Sequence, residues 1–281
     1  MPGTLYVVAT PIGNLEDVTL RALRILREVS VIAAEDTRRT ARLLQQYSIS
    51  TPTTSLHQHN EGLKTEHLLG RLAAGESIAL VSDAGTPAVS DPGRNLVAAA
   101  HTAGIRVEPI PGPSAPLAAL SASGLPAEPF CYVGFPPSKG NARKNWFASL
   151  ADLTSTIVLF EAPHRLHRTL TDLLSSVGDR KTLIGRELTK AHEELTLLPL
   201  SEHLKSERAP RGEYTLVVAP HESTHSGHVT YNEDLVRAAF EELVAQGSFP
   251  RAAIRLLAQR YVVPARVIYS SVHNTSDKSA D

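Results

Sequence analysis

Residues 78–87 read Ile78-Ala79-Leu80-Val81-Ser82-Asp83-Ala84-Gly85-Thr86-Pro87, and the change of character at Ser82 decides the fold. Four apolar residues in a row suit a strand buried on both faces. The Ser-Asp-Ala-Gly-Thr-Pro run continues neither strand nor helix, so the chain must leave the sheet there. In open α/β sheets ligands bind beyond the carboxyl ends of the strands. Ser82, Asp83, Ala84, Gly85 and Thr86 are therefore a candidate site. Gly85 allows a ligand close to the main chain, and Asp83 and Thr86 supply hydrogen-bonding groups. The continuation Ser90-Asp91-Pro92-Gly93 reads as architecture, with Asp91 as an N-cap and Pro92 as the first helical residue.

Outward from this strand the same alternation holds. Toward the N-terminus, Leu5–Ala9 and Val31–Ala34 read as strands, and Leu20–Glu28, Arg39–Tyr47 and Leu63–Ala74 as helices. Toward the C-terminus come a helix at Leu96–Ala103, a strand at Val107–Ile110 and a helix beginning at Ala115–Ser121. This order predicts an α/β protein whose N-terminal sheet is mostly parallel and covered on both faces. The glycine and prolines of 124–129 mark a boundary. A second α/β unit follows, with strands at Phe130–Gly134, Thr156–Glu161, Thr182–Gly185, Glu194–Leu198 and Tyr214–Ala219 and helices near 143–150, 165–177 and 201–207. Residues 220–232 read as a linker. Helices at Asp234–Gln246, Pro250–Tyr261 and Ala265–Ser270 form a small tail, and 273–281 reads as a disordered polar end. The expected division is 1–123, 124–220 and 221–281.

Composition narrows the class. The 281 residues are 42% hydrophobic and 20% charged, an ordinary globular balance. A single cysteine, Cys131, excludes an intramolecular disulfide and suits a reducing cytoplasm. No signal-peptide pattern or membrane-length apolar run is present, so a soluble cytoplasmic protein is expected. With a net charge of −1, any polyanion must be met by a local patch. Arg21, Arg24 and Arg27; Arg38, Arg39 and Arg42; Lys139, Arg143 and Lys144; and Arg165 and Arg168 are the clusters available, each equally readable as a solvated helix face.

Other strand ends are polar too. Ala9-Thr10-Pro11-Ile12-Gly13-Asn14-Leu15 stands where a dinucleotide fingerprint would, but lacks its glycines; no P-loop is present either. Glu35-Asp36-Thr37-Arg38-Arg39 joins two carboxylates to two guanidiniums at a strand-to-helix junction. Either Asp36 caps the helix or the arginines face phosphates. Ser114, in Pro111-Gly112-Pro113-Ser114-Ala115, is a helix cap or a ligand contact. Phe160-Glu161-Ala162-Pro163-His164-Arg165, the stretch Gly185–Glu194 and Arg211-Gly212-Glu213-Tyr214 end or enter strands of the second unit and suggest a shared cleft. Histidine spacing (His57 with His59, His164 with His167) supplies no third ligand, so no metal is expected. A serine-hydrolase elbow is absent.

Taken together, YVVATPIGNLEDVTLRALRIL, AAEDTR, LVSDAGTPAVSDPG, PIPGPSAPLAALSASGLP, FEAPHRL, GRELTKAHEE and RGEYTLVV resemble, in order and across residues 4–219, the RsmI-type ribosomal small-subunit RNA 2′-O-ribose methyltransferases of the tetrapyrrole-methylase-like superfamily. The resemblance implies two α/β domains, S-adenosylmethionine in the cleft between them, a homodimer, and as substrate a cytidine ribose in the decoding region of 16S rRNA within the small ribosomal subunit. Carried onto this chain, cofactor contacts fall on Pro11, Ser82–Thr86, Ser114, Ala115, Phe160, Ala162, Gly212 and Glu213. Ser82-Asp83-Ala84 stands where the wider superfamily often has Gly-Asp-Pro.

A ribose hydroxyl is a poor nucleophile, and a positioned base helps by roughly 10²–10⁴-fold. Asp36, Glu161, Glu35 and Glu187 are the candidates, or Lys190 if burial lowers its pKa, with Asp36 and Glu161 foremost. Asn14, Arg38, Lys139, Arg143, His164 and Arg165 are expected to meet RNA. The alternatives are a porphyrinoid (uroporphyrinogen-like) C-methyltransferase sharing fold and cofactor, and a non-catalytic RNA-binding ribosome-assembly module.

Overall fold

The computed structural model describes residues 1–206, 210–221, 232–245, 248–261 and 263–273. The chain divides after His221 into two compact units. The first holds two five-stranded sheets.

The first sheet is built from β1 (Thr4–Val8), β2 (Val31–Ala34), β3 (Thr53–Ser55), β4 (Ile78–Val81) and β5 (Arg106–Ile110). Its order is β3-β2-β4-β1-β5, and all its pairings are parallel. Between the strands run α1 (Leu20–Glu28), α2 (Thr37–Gln46), α3 (Glu61–Ala73), α4 (Arg94–Thr102) and α5 (Ala115–Ser123). The apolar run of β4 is buried throughout, and alternation sorts it between two cores. Ile78 and Leu80 pack with Leu68, Leu72 and Leu96 of α3 and α4. Ala79 and Val81 pack with Leu26 and Leu43 of α1 and α2. Burying one such leucine contributes about 1.5–3 kcal/mol. This two-sided demand is why the strand reads as unbroken hydrophobic sequence.

The second sheet contains β6 (Phe130–Tyr132), β7 (Thr156–Glu161), β8 (Lys181–Arg186), β9 (Glu194–Pro199) and β10 (Tyr214–Val218), in the order β6-β7-β10-β8-β9. Only β6 with β7 is parallel; the other pairings are antiparallel. One face is covered by α6 (Gly140–Ala151) and α7 (Leu166–Val177), with α8 (Leu200–His203) alongside. The other face receives Ala119 and Leu120 of α5, which pack with Val158, Leu183 and Val217. A helix that leaves the first sheet thus helps build the core of the second.

The second unit consists of α9 (Glu233–Ala245), α10 (Pro250–Arg260) and α11 (Ala265–His273), closed around Val236, Ile254, Leu257, Tyr261 and Ile268. The expected linker and polar end fall largely on residues outside the described ones, as do the expected helix ends at 207 and 246.

Two local departures matter. Helix α2 starts at Thr37, ahead of the expected Arg39, because the Asp36 carboxylate accepts the Arg38 N–H at 2.9 Å. Asp91 and Pro92, expected as cap and first residue, play neither part. Helix α4 begins at Arg94 after Gly93, whose φ of 112° is left-handed. The Glu61 carboxylate of α3 accepts the Gly93 and Asn95 N–H groups at 3.0 and 2.9 Å. That leaves the Asp91 carboxylate to the site, where it shares a hydrogen bond with Ser82.

Candidate active site

Beyond the carboxyl ends of the first sheet lies a cavity of about 420 Å³. Ile12 follows β1, Glu35 follows β2, Asp83–Thr86 follow β4, and Ser114 and Ala115 follow β5, and all of them line it. The loops are cross-tied. Thr10 and Gly85 exchange main-chain hydrogen bonds, each 2.9 Å, and Thr10 Oγ1 donates to the Ser82 carbonyl at 3.2 Å. The Asp36 N–H donates to Asp83 Oδ1 at 2.9 Å, and the Asp83 N–H donates to Glu35 Oε2 at 3.3 Å. Side-chain acceptors thus satisfy backbone donors that the strands leave behind. Ser114 holds the N-cap position of α5 without a side-chain capping bond.

Three carboxylates, Glu35 after β2 and Asp83 and Asp91 in the loop after β4, share this wall. Burial pushes Glu35 above its ordinary value. Asp91 is pushed up to about 6, first by burial and then by the charge of Glu35. Asp36 behaves oppositely: hydrogen bonds from Arg38 hold its carboxyl well below the usual range. A carboxylate gripped in this way is a weak base.

The second sheet supplies the facing wall through Phe135, Phe160, Glu161, Ala162 and Tyr214. Phe160 packs against Tyr132 and Phe135, with ring centroids 5.3 Å apart in each pair. Tyr132 Oη and Ser90 Oγ lie 2.7 Å apart, joining β6 to the loop after β4, where Ala88 and Ser90 have left-handed φ. Glu161 reaches the cavity wall, but its side chain is 0% exposed and fully engaged. Thr169 donates to one of its oxygens, and Arg165 pairs with the other at 2.7 Å.

Lys190 stands between Glu187 and Glu213, 2.9 Å from each. Burial alone would lower its pKa, but the two carboxylates outweigh it and raise the group, so Lys190 is a cation and not a base. Gly212, expected to touch a cofactor, is outside the cavity lining. Its φ is 85°, and a Cβ there would sit 2.5 Å from Glu187 Cγ. It keeps room for the Glu187–Lys190 pair, while Glu213 itself lines the cavity.

The residues expected to meet RNA are scattered. Asn14 is exposed, and its side chain caps a short turn by accepting the Glu16 N–H. Lys139 and His164 are exposed, and Arg165 is tied to Glu161. Arg143 is 2% exposed: it donates to Asp172, Thr169 and the Pro137 carbonyl and lies 4.8 Å over the Phe147 ring. It braces the fold and offers nothing to solvent, contrary to the expectation. Arg38 is exposed but paired with Asp36 at 2.8 Å. Pro11 and Ser82 line a neighbouring cavity of about 380 Å³ that shares Arg39, Asp83 and Glu213 with the first. Sequence reasoning missed Asp91, Phe135, Leu188 and Tyr214. Asp91 sits in an Asp-Pro-Gly string that imitates a helix start, and the other three look like ordinary strand or loop hydrophobics.

Among the described residues no group of His, Cys, Asp and Glu is arranged to hold a metal ion, and no helix is long and apolar enough to cross a membrane.

A parallel sheet joined to a mixed one, with a cavity at the strand ends, defines a tetrapyrrole methylase: the family described as Tetrapyrrole (Corrin/Porphyrin) Methylases matches residues 4–203. The same fold is found in uroporphyrin-III-C-methyltransferase from Thermus thermophilus (TM-score 0.55, 24% identity, covering 77% of this chain and 94% of that one). It recurs in a diphthine synthase (TM-score 0.59, 16% identity, 77% and 90% covered). Full-length similarity is more specific. A ribosomal RNA small subunit methyltransferase I from Synechocystis sp. is 46% identical over 95% of this chain and 96% of its own length. The protein of that name from Escherichia coli O157:H7 is 43% identical, with 95% and 93% covered. The chain belongs to the ribosomal RNA small subunit methyltransferase I family.

Proposed function

We propose that this chain transfers a methyl group from S-adenosylmethionine to a ribose 2′-hydroxyl of a cytidine in the decoding region of 16S rRNA. The observation that supports it most is that motifs spread over residues 12–215 of a chain 46% identical to a ribosomal RNA small subunit methyltransferase I line one cavity.

The residues present fit the donor. Ligand cavities run from about 300 to 1,000 Å³, and this one, at about 420 Å³, has apolar and aromatic walls for an adenosine. Glu35 and Asp83 suit its cationic sulfonium and ammonium groups. Asp83–Thr86, Ser114, Ala115, Phe160, Ala162 and Glu213 would hold it, with Gly85 at φ 78° and a Cβ there meeting Ile12 at 3.4 Å. When bound, S-adenosylmethionine supplies an activated methyl carbon. The protein's own work is then alignment, which can contribute about 7–11 kcal/mol, and removal of one proton. Asp36 is locked by Arg38, Glu161 is enclosed and Lys190 is protonated, so the proton of the ribose hydroxyl goes to the Glu35–Asp91 pair. Asp91, ionised above about pH 6, is the acceptor in this reading.

Residues 1–123 and 124–220 act here as two domains sharing the donor cleft, with 221–281 as a helical addition. A cytoplasmic homodimer belongs to the same reading, and sedimentation checks the dimer. The deciding experiment incubates the protein with labelled S-adenosylmethionine and small ribosomal subunits, or with uroporphyrinogen, and maps the label by mass. Label on a cytidine ribose is expected. Label only on the porphyrinoid assigns the cavity to carbon methylation, and no donor binding at all leaves a non-catalytic module.

A further inference from the structure

We infer that the groove along α2, lined by Arg39 and Arg42, grips the phosphodiester backbone of the RNA beside the nucleotide to be methylated; this rests on the rRNA reading above. The groove is the cavity of about 380 Å³ next to the donor cavity. Arg39 lines the donor cavity, this groove and a further depression that also contains Arg38 and Arg42. Residues 39 and 42, three apart, are neighbours on one helix face. The arginines therefore run from the mouth of the donor cavity outward along one open track.

Place separates this track from the other basic clusters: Arg21, Lys139 and Lys144 also make no ion pair among the described residues, but they line neither this groove nor the donor cavity. Arg143 is buried, Arg165 is bound to Glu161, and Lys190 is held by two carboxylates. Arg168 approaches Asp172 at 4.0 Å. Arg42 makes no ion pair among the described residues, and Arg39 has a single contact of 3.3 Å with Asp83. A guanidinium has five donors, so most of those on Arg39 stay open. Two open planar forks, one turn apart, ask for anions repeated at short intervals, which a nucleic acid strand supplies and a single small anion does not.

The test uses the full-length protein with Arg42→Ala, Arg42→Lys and Lys139→Ala, small ribosomal subunits, and a mixed-sequence single-stranded RNA oligonucleotide. Arg42→Ala should weaken oligonucleotide binding and raise the KM for subunits roughly tenfold, the loss expected for one charged hydrogen bond. It should also lower the slope of log affinity against log salt by about 0.7. Arg42→Lys should restore the slope but only part of the affinity. Calorimetric S-adenosylmethionine affinity and kcat at saturating subunits should hold. An unchanged slope in Arg42→Ala with a reduced one in Lys139→Ala overturns the groove while the rRNA reading stands. Equal competition by inorganic pyrophosphate at the same concentration of charge also overturns it. Wild-type protein that neither binds nor methylates rRNA overturns both.

Discussion

The two sheets have five strands each and similar polar strand ends, yet they use those ends differently. Every strand of the first sheet points the same way, so its loops emerge on one edge and their carboxylates crowd together around the cavity. The second sheet is largely antiparallel, and its Glu161 joins a chain with Thr169, Arg143 and Asp172 of the helices α6 and α7 that cover it. In the first, Glu35 and Asp91 make no ion pair and burial raises their pKa values. In the second, charge is neutralised and becomes architecture. The same residue types face the cavity or brace the fold according to the partners the fold brings to them.

The largest expected effect falls on the first sheet. Asp91→Asn should lower kcat by roughly 10²–10⁴-fold with donor affinity retained, while Asp36→Asn should cost less than about tenfold because Arg38 already occupies that carboxylate. Wild-type kcat should climb as pH rises through about 6, and the climb should vanish in Asp91→Asn. Stopped assays from pH 5 to 8 decide this, and an unaltered profile would remove Asp91 from the reaction.

Next is the brace of the second sheet. Arg143→Ala strips a buried charge partner from Asp172 and a donor from Thr169. It should cost about 3 kcal/mol in urea unfolding and leave the salt slope of RNA binding as in wild type. A lowered slope with full stability would reverse the division between the sheets.

A smaller loss is expected at Gly93, where φ is 112° and an added Cβ would lie 2.6 Å from Leu80. Gly93→Ala should destabilise by about 1–3 kcal/mol, read as a lower Tm.

The smallest effect is a pH dependence of stability. The carboxyl of Asp91 titrates at about 6 in the folded protein against 3.8 ordinarily, so the folded state holds the proton more firmly. The stability this gives is complete below pH ~3.8 and is lost as pH rises through about 6. Discounted for the water that reaches a half-buried group, it amounts to about 1 kcal/mol. Comparing Tm in wild type and Asp91→Asn at pH 4 and pH 7 isolates it.

Much of the fold was legible in the sequence. Buried parallel strands need apolar runs such as Ile78–Val81 and Val31–Ala34, and both lie where they were read. Thr53–Ser55 was not legible, because a three-residue edge strand carries no apolar run. At the candidate site, the polar loops stood out because neither strand nor helix has use for them. Arg143 misled, since a basic helix face reads alike whether its arginine meets solvent or a buried aspartate.

Periodicity and turn chemistry are local, acting within a few residues, so the sequence by itself determined the strands, most helices and the strand-end loops. Charge state is not local. Glu61 frees Asp91 by capping α4 from 32 residues away, and Asp172 neutralises Arg143 from 29. Which carboxylate stays protonatable and which guanidinium stays open depend on such distant partners and on the water they displace, and only the tertiary structure decides them.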